Sequence, residues 1–423
     1  MFQRLSRMTS AVLLSVTVLI FPAIFDSGRG IDQQVQSDVQ DDIDVLLKAY
    51  DAALQEELTH GATQQIADPS GGTTRILVGE SQVKMDRLWA ETLAKINALQ
   101  ARPETERAST VEMLHKVSGA DPVYISRVGT PYNSTAELEE YEAGGFVYHV
   151  DITSGEIIKA WLKDQKDYSV EVLSSEQGLA DMARAYVAKF SPGHALDSLA
   201  LVVLNKDSEI YFFRWEDSAG QLADGTIPFI QIALSRSGDL LNFENTLPLS
   251  RRSADSNLPQ LLTVKPVLAI GDNQVYSNGG AQWGWERQDA AYTTQGNAGY
   301  CYTQGSWCTP KHFYWAASPS GDNTYYGSLH RGKWTATSFM RYRNTRTSAY
   351  IPCTNATAKV FYYKWYNGGS SSVSNYVDQQ IWCNTWVEMS STLYDIQRVV
   401  LANTNEAGTG KKIAWDEIWD YVP

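Results

Sequence analysis

The sequence predicts a multidomain protein of α+β plus all-β class: N-terminal helices, then α+β units, then a C-terminal antiparallel β-sandwich of jelly-roll-like kind. Three observations predict it. Up to His115, apolar residues recur at helical spacing. Between Gly145 and Leu247, strand-like runs flank a single capped helix. From Ala349 onward, short segments rich in β-branched and aromatic residues are divided by turn formers such as Asn367-Gly368-Gly369 and Gly408-Thr409-Gly410. At 423 residues the chain is long enough for two or three cores.

Residues 1–30 read as a signal peptide or anchor. Arg4 and Arg7 precede an apolar run from Ala11 to Phe25, and Asp26-Ser27-Gly28 follows. The run is about 15 residues, short of the ~20 that span a bilayer comfortably. Export to a secreted or extracytoplasmic location is the expectation.

Residues 31–120 read as an acidic helical region. Val39, Ile43, Leu46, Leu47, Tyr50 and Leu54 stripe a helix from Asp32 to His60. Met85, Leu88, Trp89, Leu93 and Ile96 stripe another from Ser81 to Leu99. Pro103 suits the start of a third helix, running to His115.

Residues 121–246 change texture. Phe146–Ile152 alternates like a strand, Thr153-Ser154-Gly155-Glu156 turns, and Ile157–Leu162 returns as a hairpin partner. Ser175 caps a helix from Glu176 to Phe190. Strand-like runs follow at Leu199–Asn205, Ile210–Trp215, Pro228–Leu234 and Leu240–Phe243. Residues 247–265 read as an exposed linker carrying Arg251-Arg252, and 266–423 as the sandwich.

Charge and aromatic content are divided in the same way. Residues 255–423 carry 13 Lys+Arg against 12 Asp+Glu; residues 1–254 carry 22 against 36. Ten of the 13 Trp lie after residue 255. The asymmetry predicts separate modules. No basic patch is in evidence to neutralise phosphates, which argues against nucleic acid as a partner.

Two resemblances follow from particular residues. Val377-Asp378-Gln379, then Asn384-Thr385-Trp386-Val387, then a strand ending in Asn403, then Ile413-Ala414-Trp415-Asp416-Glu417-Ile418, resemble the C-terminal domain shared by golvesin and the carbohydrate-binding domain of xanthan lyases. The match covers roughly Tyr325 to Val422. It departs at Met389-Ser390, where that family usually has a glycine, and at Trp415, where a smaller residue is common. The order of one helix, then strands, then Ser237-Gly238-Asp239-Leu240 resembles a PepSY-type domain, with the earlier hairpin as the end of a preceding copy. That resemblance implies an interaction module, with an envelope protein as a partner, and no catalysis.

No motif for catalysis stands out. The six His form no His-Glu-x-x-His pair, and there is no Gly-x-Ser-x-Gly elbow, P-loop or dinucleotide fingerprint. No cofactor is expected, though structural calcium on Asp416, Glu417 and Asp420 is an option. Four cysteines in an exported chain predict two disulfides, Cys301–Cys308 and Cys353–Cys383 being the favoured pairing. The aromatic content is better explained by binding, because flat rings match the C–H faces of sugars. Trp283, Trp285, Trp365, Tyr366, Trp382 and Trp386 are the candidate carbohydrate-binding residues. Alternation places Phe361, Tyr363 and Trp365 on one face of a strand and Val360, Tyr362 and Lys364 on the other, one set being core. The function expected is attachment to an extracellular or cell-envelope polysaccharide. Two alternatives stand beside it: a secreted hydrolase with an inhibitory N-terminal pro-region, and a structural or protein-binding envelope module.

Overall fold

The computed structural model describes residues 30–422 except 68–72, 132–136, 166–174, 207–209, 221, 223–226, 255–266, 271, 278–279, 282–285, 290–311, 318–329, 336–340, 404–410 and 416–417. For some of these, including 30–38 and most of 267–335, only the backbone is described. The signal segment of residues 1–29 therefore lies outside the described residues. Among the described residues, no helix is long and apolar enough to cross a membrane.

The chain begins with helix α1 (Gly30–His60), a hairpin of β1 (Thr63–Ala67) and β2 (Thr73–Leu77), helix α2 (Gly79–Leu99) and helix α3 (Glu104–Ser118). The apolar stripes of α1 and α2 face each other, burying Ile43, Leu47, Tyr50 and Leu54 against Met85, Trp89 and Ile96. Gly119 ends α3 with φ at 74°, a left-handed position that suits glycine.

An antiparallel sheet of eight strands follows. Its strands are β3 (Ser126–Gly129), β4 (Leu138–Ala143), β5 (Phe146–Asp151), β6 (Ile157–Leu162), β7 (Ala200–Lys206), β8 (Ile210–Glu216), β9 (Phe229–Ser235) and β10 (Leu240–Asn245). Their spatial order is β3-β4-β5-β6-β10-β9-β8-β7. Helix α4 (Glu176–Phe190), capped by the Ser175 hydroxyl accepting from the Gly178 amide at 3.2 Å, lays Leu179, Ala183 and Val187 on one face of this sheet.

Helix α5 (Leu247–Ala254) comes next. It occupies the start of the segment expected to be an exposed linker, and Leu247 and Leu249 are buried. Apolar side chains three positions from Thr246 and Ser250 find partners in the preceding sheet, so the chain is held there rather than left in solvent. Residues 255–265 lie outside the described residues.

The C-terminal part is β11 (Val267–Ile270), β12 (Asp272–Ser277), β13 (Gly280–Ala281), β14 (Glu286–Asp289), β15 (His312–Ala317), β16 (His330–Thr335), β17 (Asn344–Ile351), β18 (Lys359–Tyr366), β19 (Ser371–Asp378), β20 (Thr385–Tyr394), β21 (Arg398–Asn403), β22 (Lys412–Trp415) and β23 (Ile418–Val422). They form a four-stranded sheet, β11-β23-β17-β20, a six-stranded sheet, β13-β12-β16-β21-β18-β19, and a three-stranded sheet, β14-β15-β22. Val360, Tyr362, Trp382, Val387, Val399, Leu401 and Trp415 belong to their shared core. Of the two faces of β18, the Val360–Tyr362–Lys364 set is the one turned inward.

The layout of helices followed by mostly antiparallel sheets matches the sequence-based expectation. The regions are also packed against one another. Val147, Trp161, Ile210, Phe212, Ala233 and Leu241 of the eight-stranded sheet share one apolar cluster with Trp382, Val387 and Met389 of the sandwich. The helices dock too: Tyr50 and Trp89 pack on Tyr394, and the Trp89 indole N–H donates to the Thr392 carbonyl at 2.7 Å.

Candidate functional site

The sequence motif that resembles the golvesin domain has a structural cause. Asp378 caps the turn after β19, accepting from the Gln380 amide at 3.2 Å. Next to it, the Gln379 side chain takes both backbone groups of Ala414: its Oε1 accepts from the Ala414 amide at 2.9 Å and its Nε2 donates to the Ala414 carbonyl at 2.8 Å. The Asp-Gln pair and the Ile413-Ala414-Trp415 strand thus belong to one joint. The Cys353–Cys383 disulfide is formed. Cys301 and Cys308 lie outside the described residues, as do Trp283, Trp285, Asp416 and Glu417; Asp420 falls in β23, with its side chain undescribed.

The structure closes three of the four described aromatic candidates. Trp365 is 5 % exposed, Tyr366 6 % and Trp382 1 %. Trp382 meets Trp161 edge to face at 6.2 Å and lies beneath the Lys159 ammonium at 5.1 Å. Tyr366 donates to Asp86 of α2 at 2.9 Å. Trp365 holds the Arg398 guanidinium over its ring at 4.6 Å and packs with Ile66 and Ile76 of the β1–β2 hairpin. Each is covered by chain from the acidic front half, which the sequence treats as a separate module. Trp386 alone is half-buried, its ring edge-on to Tyr350 at 5.4 Å.

Lys159, which covers Trp382, belongs to a row of polar residues that the sequence reading missed. Direct cross-strand pairing carries it across six neighbouring strands: Glu140, His149, Lys159, Glu244, Gln231 and Arg214. The signal was present in the sequence. Strands β5, β6, β8 and β9 each hold a polar side chain inside an apolar run, as in Phe146-Val147-Tyr148-His149-Val150 or Ile157-Ile158-Lys159-Ala160-Trp161. The opposite face of the sheet takes α4; this face takes the outer side of the four-stranded sheet.

Every member of the row finds a partner. Arg346 of β17 donates to Glu140 at 2.7 Å and pairs through Nε with Glu388 of β20. His149 lies 3.0 Å from Glu140 and 3.5 Å from Glu388. Tyr421 of β23 donates to Glu388 at 2.5 Å. Lys159 donates to the Thr385 hydroxyl at 2.7 Å and to the Trp386 carbonyl, and Thr385 in turn donates to Glu244 at 3.1 Å. Gln231 donates to the Cys383 carbonyl at 3.4 Å while accepting from Arg214 at 2.7 Å. Gly129 leaves room beside Arg346: a Cβ there would sit 2.6 Å from the guanidinium.

Burial sets the electrostatics. Desolvation pushes the Glu140 carboxyl up, but Arg346 and His149 outweigh it and hold the group down at about 2. At Glu388 desolvation wins over Arg346, and the carboxyl rises. Desolvation lowers the Lys159 ammonium against Glu244 and Glu388. Glu140, His149 and Glu388 each bring a ligand atom within 4.8 Å of the others, a spacing that suits a metal ion. The chemistry of the set does not fit one: Arg346 already supplies a cation to both carboxylates. The cluster is an internal ionic joint.

The six-stranded sheet offers a different surface. On the outer side of β18, Phe361 and Tyr363 are half-buried, their ring centroids 5.9 Å apart. Tyr376 of β19 stands directly opposite Phe361, edge-on at 5.9 Å, and is half-buried as well. Exposed Ser374 and Ser372 pair with Tyr363 and Trp365. The result is a shelf of three rings with hydroxyls along its rim.

No family model matches the chain, and no curated protein sequence matches it. Among solved structures, the Bacillus megaterium YpeB C-terminal domain aligns with 56 % of this chain and 93 % of that one, at 10 % identity and TM-score 0.25. The exo-β-1,3-galactanase of Phanerochaete chrysosporium aligns with 70 % of this chain and 67 % of that one, at 8 % identity and TM-score 0.24. Paenibacillus xanthan lyase aligns with 71 % of this chain and 39 % of that one, at 10 % identity and TM-score 0.18. Scores of this size assign neither a fold family nor a function.

Proposed function

We propose that the protein is an exported, non-catalytic binder of extracellular or cell-envelope polysaccharide, with the glycan lying on the Phe361–Tyr363–Tyr376 shelf. The observation that carries this reading is the contiguity of the three half-exposed rings on one sheet face. Contiguous rings left partly in water on one sheet face mark an interaction surface. Their flat apolar faces match the C–H faces of pyranose rings, and Ser372 and Ser374 offer hydroxyl partners to the sugar's own. The reading moves the site from the six residues expected by sequence to the opposite side of the sandwich from Trp382 and Trp386.

The non-catalytic part rests on the carboxylates. Glycoside cleavage uses two carboxyl groups flanking an accessible bond. Glu140 and Glu388 come together, but under two sheets and against Arg346. In this reading the sandwich is of the golvesin and xanthan-lyase type and the middle sheet with α4 is PepSY-like. An envelope-protein partner would approach the middle unit from the α4 side, since the other face is taken by the sandwich.

The test is affinity electrophoresis of the full-length protein through gels carrying a panel of neutral and acidic polysaccharides. At least one retards the wild type, and Phe361→Ala/Tyr376→Ala restores free migration. Unretarded migration in every gel, or equal retardation of the double variant, sinks the reading.

A further inference from the structure

The shelf does not end at Tyr363. Trp365 continues it along β18, with successive outward positions about 6.6 Å apart, and pairs across to exposed Ser372. It is closed because the β1–β2 hairpin rests on it: Ile66 and Ile76 form one apolar cluster with Trp365, Val400 and Tyr363. The two isoleucines share a hairpin face, Ile66 being paired with Thr74 and Ile76 with Gln64. Gln64, Gln65 and Arg75 are exposed, while Leu77 at the end of β2 is buried with α1 and α2 and anchors the base of the hairpin.

We propose that Trp365 is a capped subsite of the glycan shelf, and that the hairpin and a glycan chain running along β18 compete for it. The proposal rests on the polysaccharide reading and adds to it a third ring in line and a built-in cap. Two features favour a hairpin that can lift, and one bond at its end acts as the hinge it would turn on. It is a two-stranded sheet that pairs with no other strand among the described residues. Isolated two-stranded hairpins are marginal in water. Among the backbone bonds at its ends, Leu77 N–H to the Ser370 carbonyl, at 2.9 Å, ties it to the sandwich. Arg398, the cross-strand partner of Trp365, holds its guanidinium 4.6 Å from the ring centroid, a contact that does not depend on the hairpin. A ligand long enough to reach Trp365 shifts the hairpin to its open position by binding only that state, and its apparent affinity is reduced by the fraction of molecules that are closed.

The experiment compares wild type, Ile66→Asp/Ile76→Asp and Trp365→Ala, all full length, titrated with oligosaccharides of increasing length from the polysaccharide that retards the wild type most. Acrylamide quenching of tryptophan fluorescence reports whether the cap has lifted. Charging the two isoleucines is expected to raise quenching and to tighten binding of the longer oligosaccharides at least about threefold, with short ones unchanged. Trp365→Ala, with the hairpin sequence intact, is expected to erase the gain in affinity with length; this second variant decides the matter if the first fails to fold. Raised quenching with unchanged affinity, or an unaltered length dependence in Trp365→Ala, overturns the cap while leaving the Phe361–Tyr376 shelf standing. Binding of no sugar by either the wild type or the uncapped variant overturns both.

Discussion

The sandwich has two outer sides, and the chain treats them differently. On the four-stranded sheet, Arg346, Glu388 and Tyr421 face the polar row of the middle sheet; Arg346 and Tyr421 are buried and the Glu388 side chain is 6 % exposed. On the six-stranded sheet, Phe361, Tyr363 and Tyr376 stay half open beside the hairpin that covers Trp365. The sealed side holds charges and the open side holds rings. A buried charge is tolerated only where each member has a partner in fixed geometry, so the sealed side must be made by chain that is always present. Rings cost little when half-wet, so the open side can wait for a ligand.

The largest effect expected from breaking this contrast is at Arg346. Arg346→Met leaves Glu140 and Glu388 buried without their cation and costs ~3–5 kcal/mol of stability in guanidinium melts of the full chain. Adding Glu140→Gln and Glu388→Gln to it recovers much of the loss; a triple variant no better than the single one would show that the row does not act as a unit. Next is the bridge beside the row. The Cys353–Cys383 disulfide closes a separation of 30 residues, and Cys353→Ala/Cys383→Ala costs about 3 kcal/mol in the same melts.

The pH response is smaller and has a definite sign. Glu140 sits below its unfolded value of 4.5, at about 2 when folded. Its contribution is therefore complete above pH 4.5 and is lost as pH falls toward 2. Glu140→Gln should flatten the stability profile between those limits, which melts at pH 7, 4.5 and 3 would show. Glu388, raised by burial, runs the opposite way: its contribution is present at low pH and lost as pH climbs through its folded value. Glu388→Gln consequently costs less at pH 7 than at pH 4. The smallest effect is on the open side. Tyr376→Ala changes stability little and weakens glycan binding by about 1 kcal/mol, roughly fivefold in Kd.

Much of the secondary structure was legible in the sequence. The Glu176–Phe190 helix appears with the predicted bounds, because Ser175 and the apolar spacing mark it locally. Other elements were not legible, and two of them show why. Strand β4, Leu138-Glu139-Glu140-Tyr141-Glu142-Ala143, carries three glutamates in a row of six and does not read as a buried strand; Arg102, Arg127 and Arg346 from elsewhere make it one. The β1–β2 hairpin, Thr63-Gln64-Gln65-Ile66-Ala67 and its partner, has one apolar side and nothing nearby to bury it against; the sandwich, some 300 residues on, supplies the surface.

The sequence by itself determined that helices precede antiparallel sheets and that β18 alternates between two faces, one of them core; it favoured the Cys353–Cys383 pairing that the structure shows. Only the tertiary structure decided which rings meet water. Period-two alternation records that a strand has two sides, and local residues are enough to write it. Which side is then covered depends on segments distant in sequence, Lys159 over Trp382, α2 against Tyr366 and Ile66 on Trp365. Their arrival is governed by the complementarity of whole surfaces, and no short stretch of the chain carries that information.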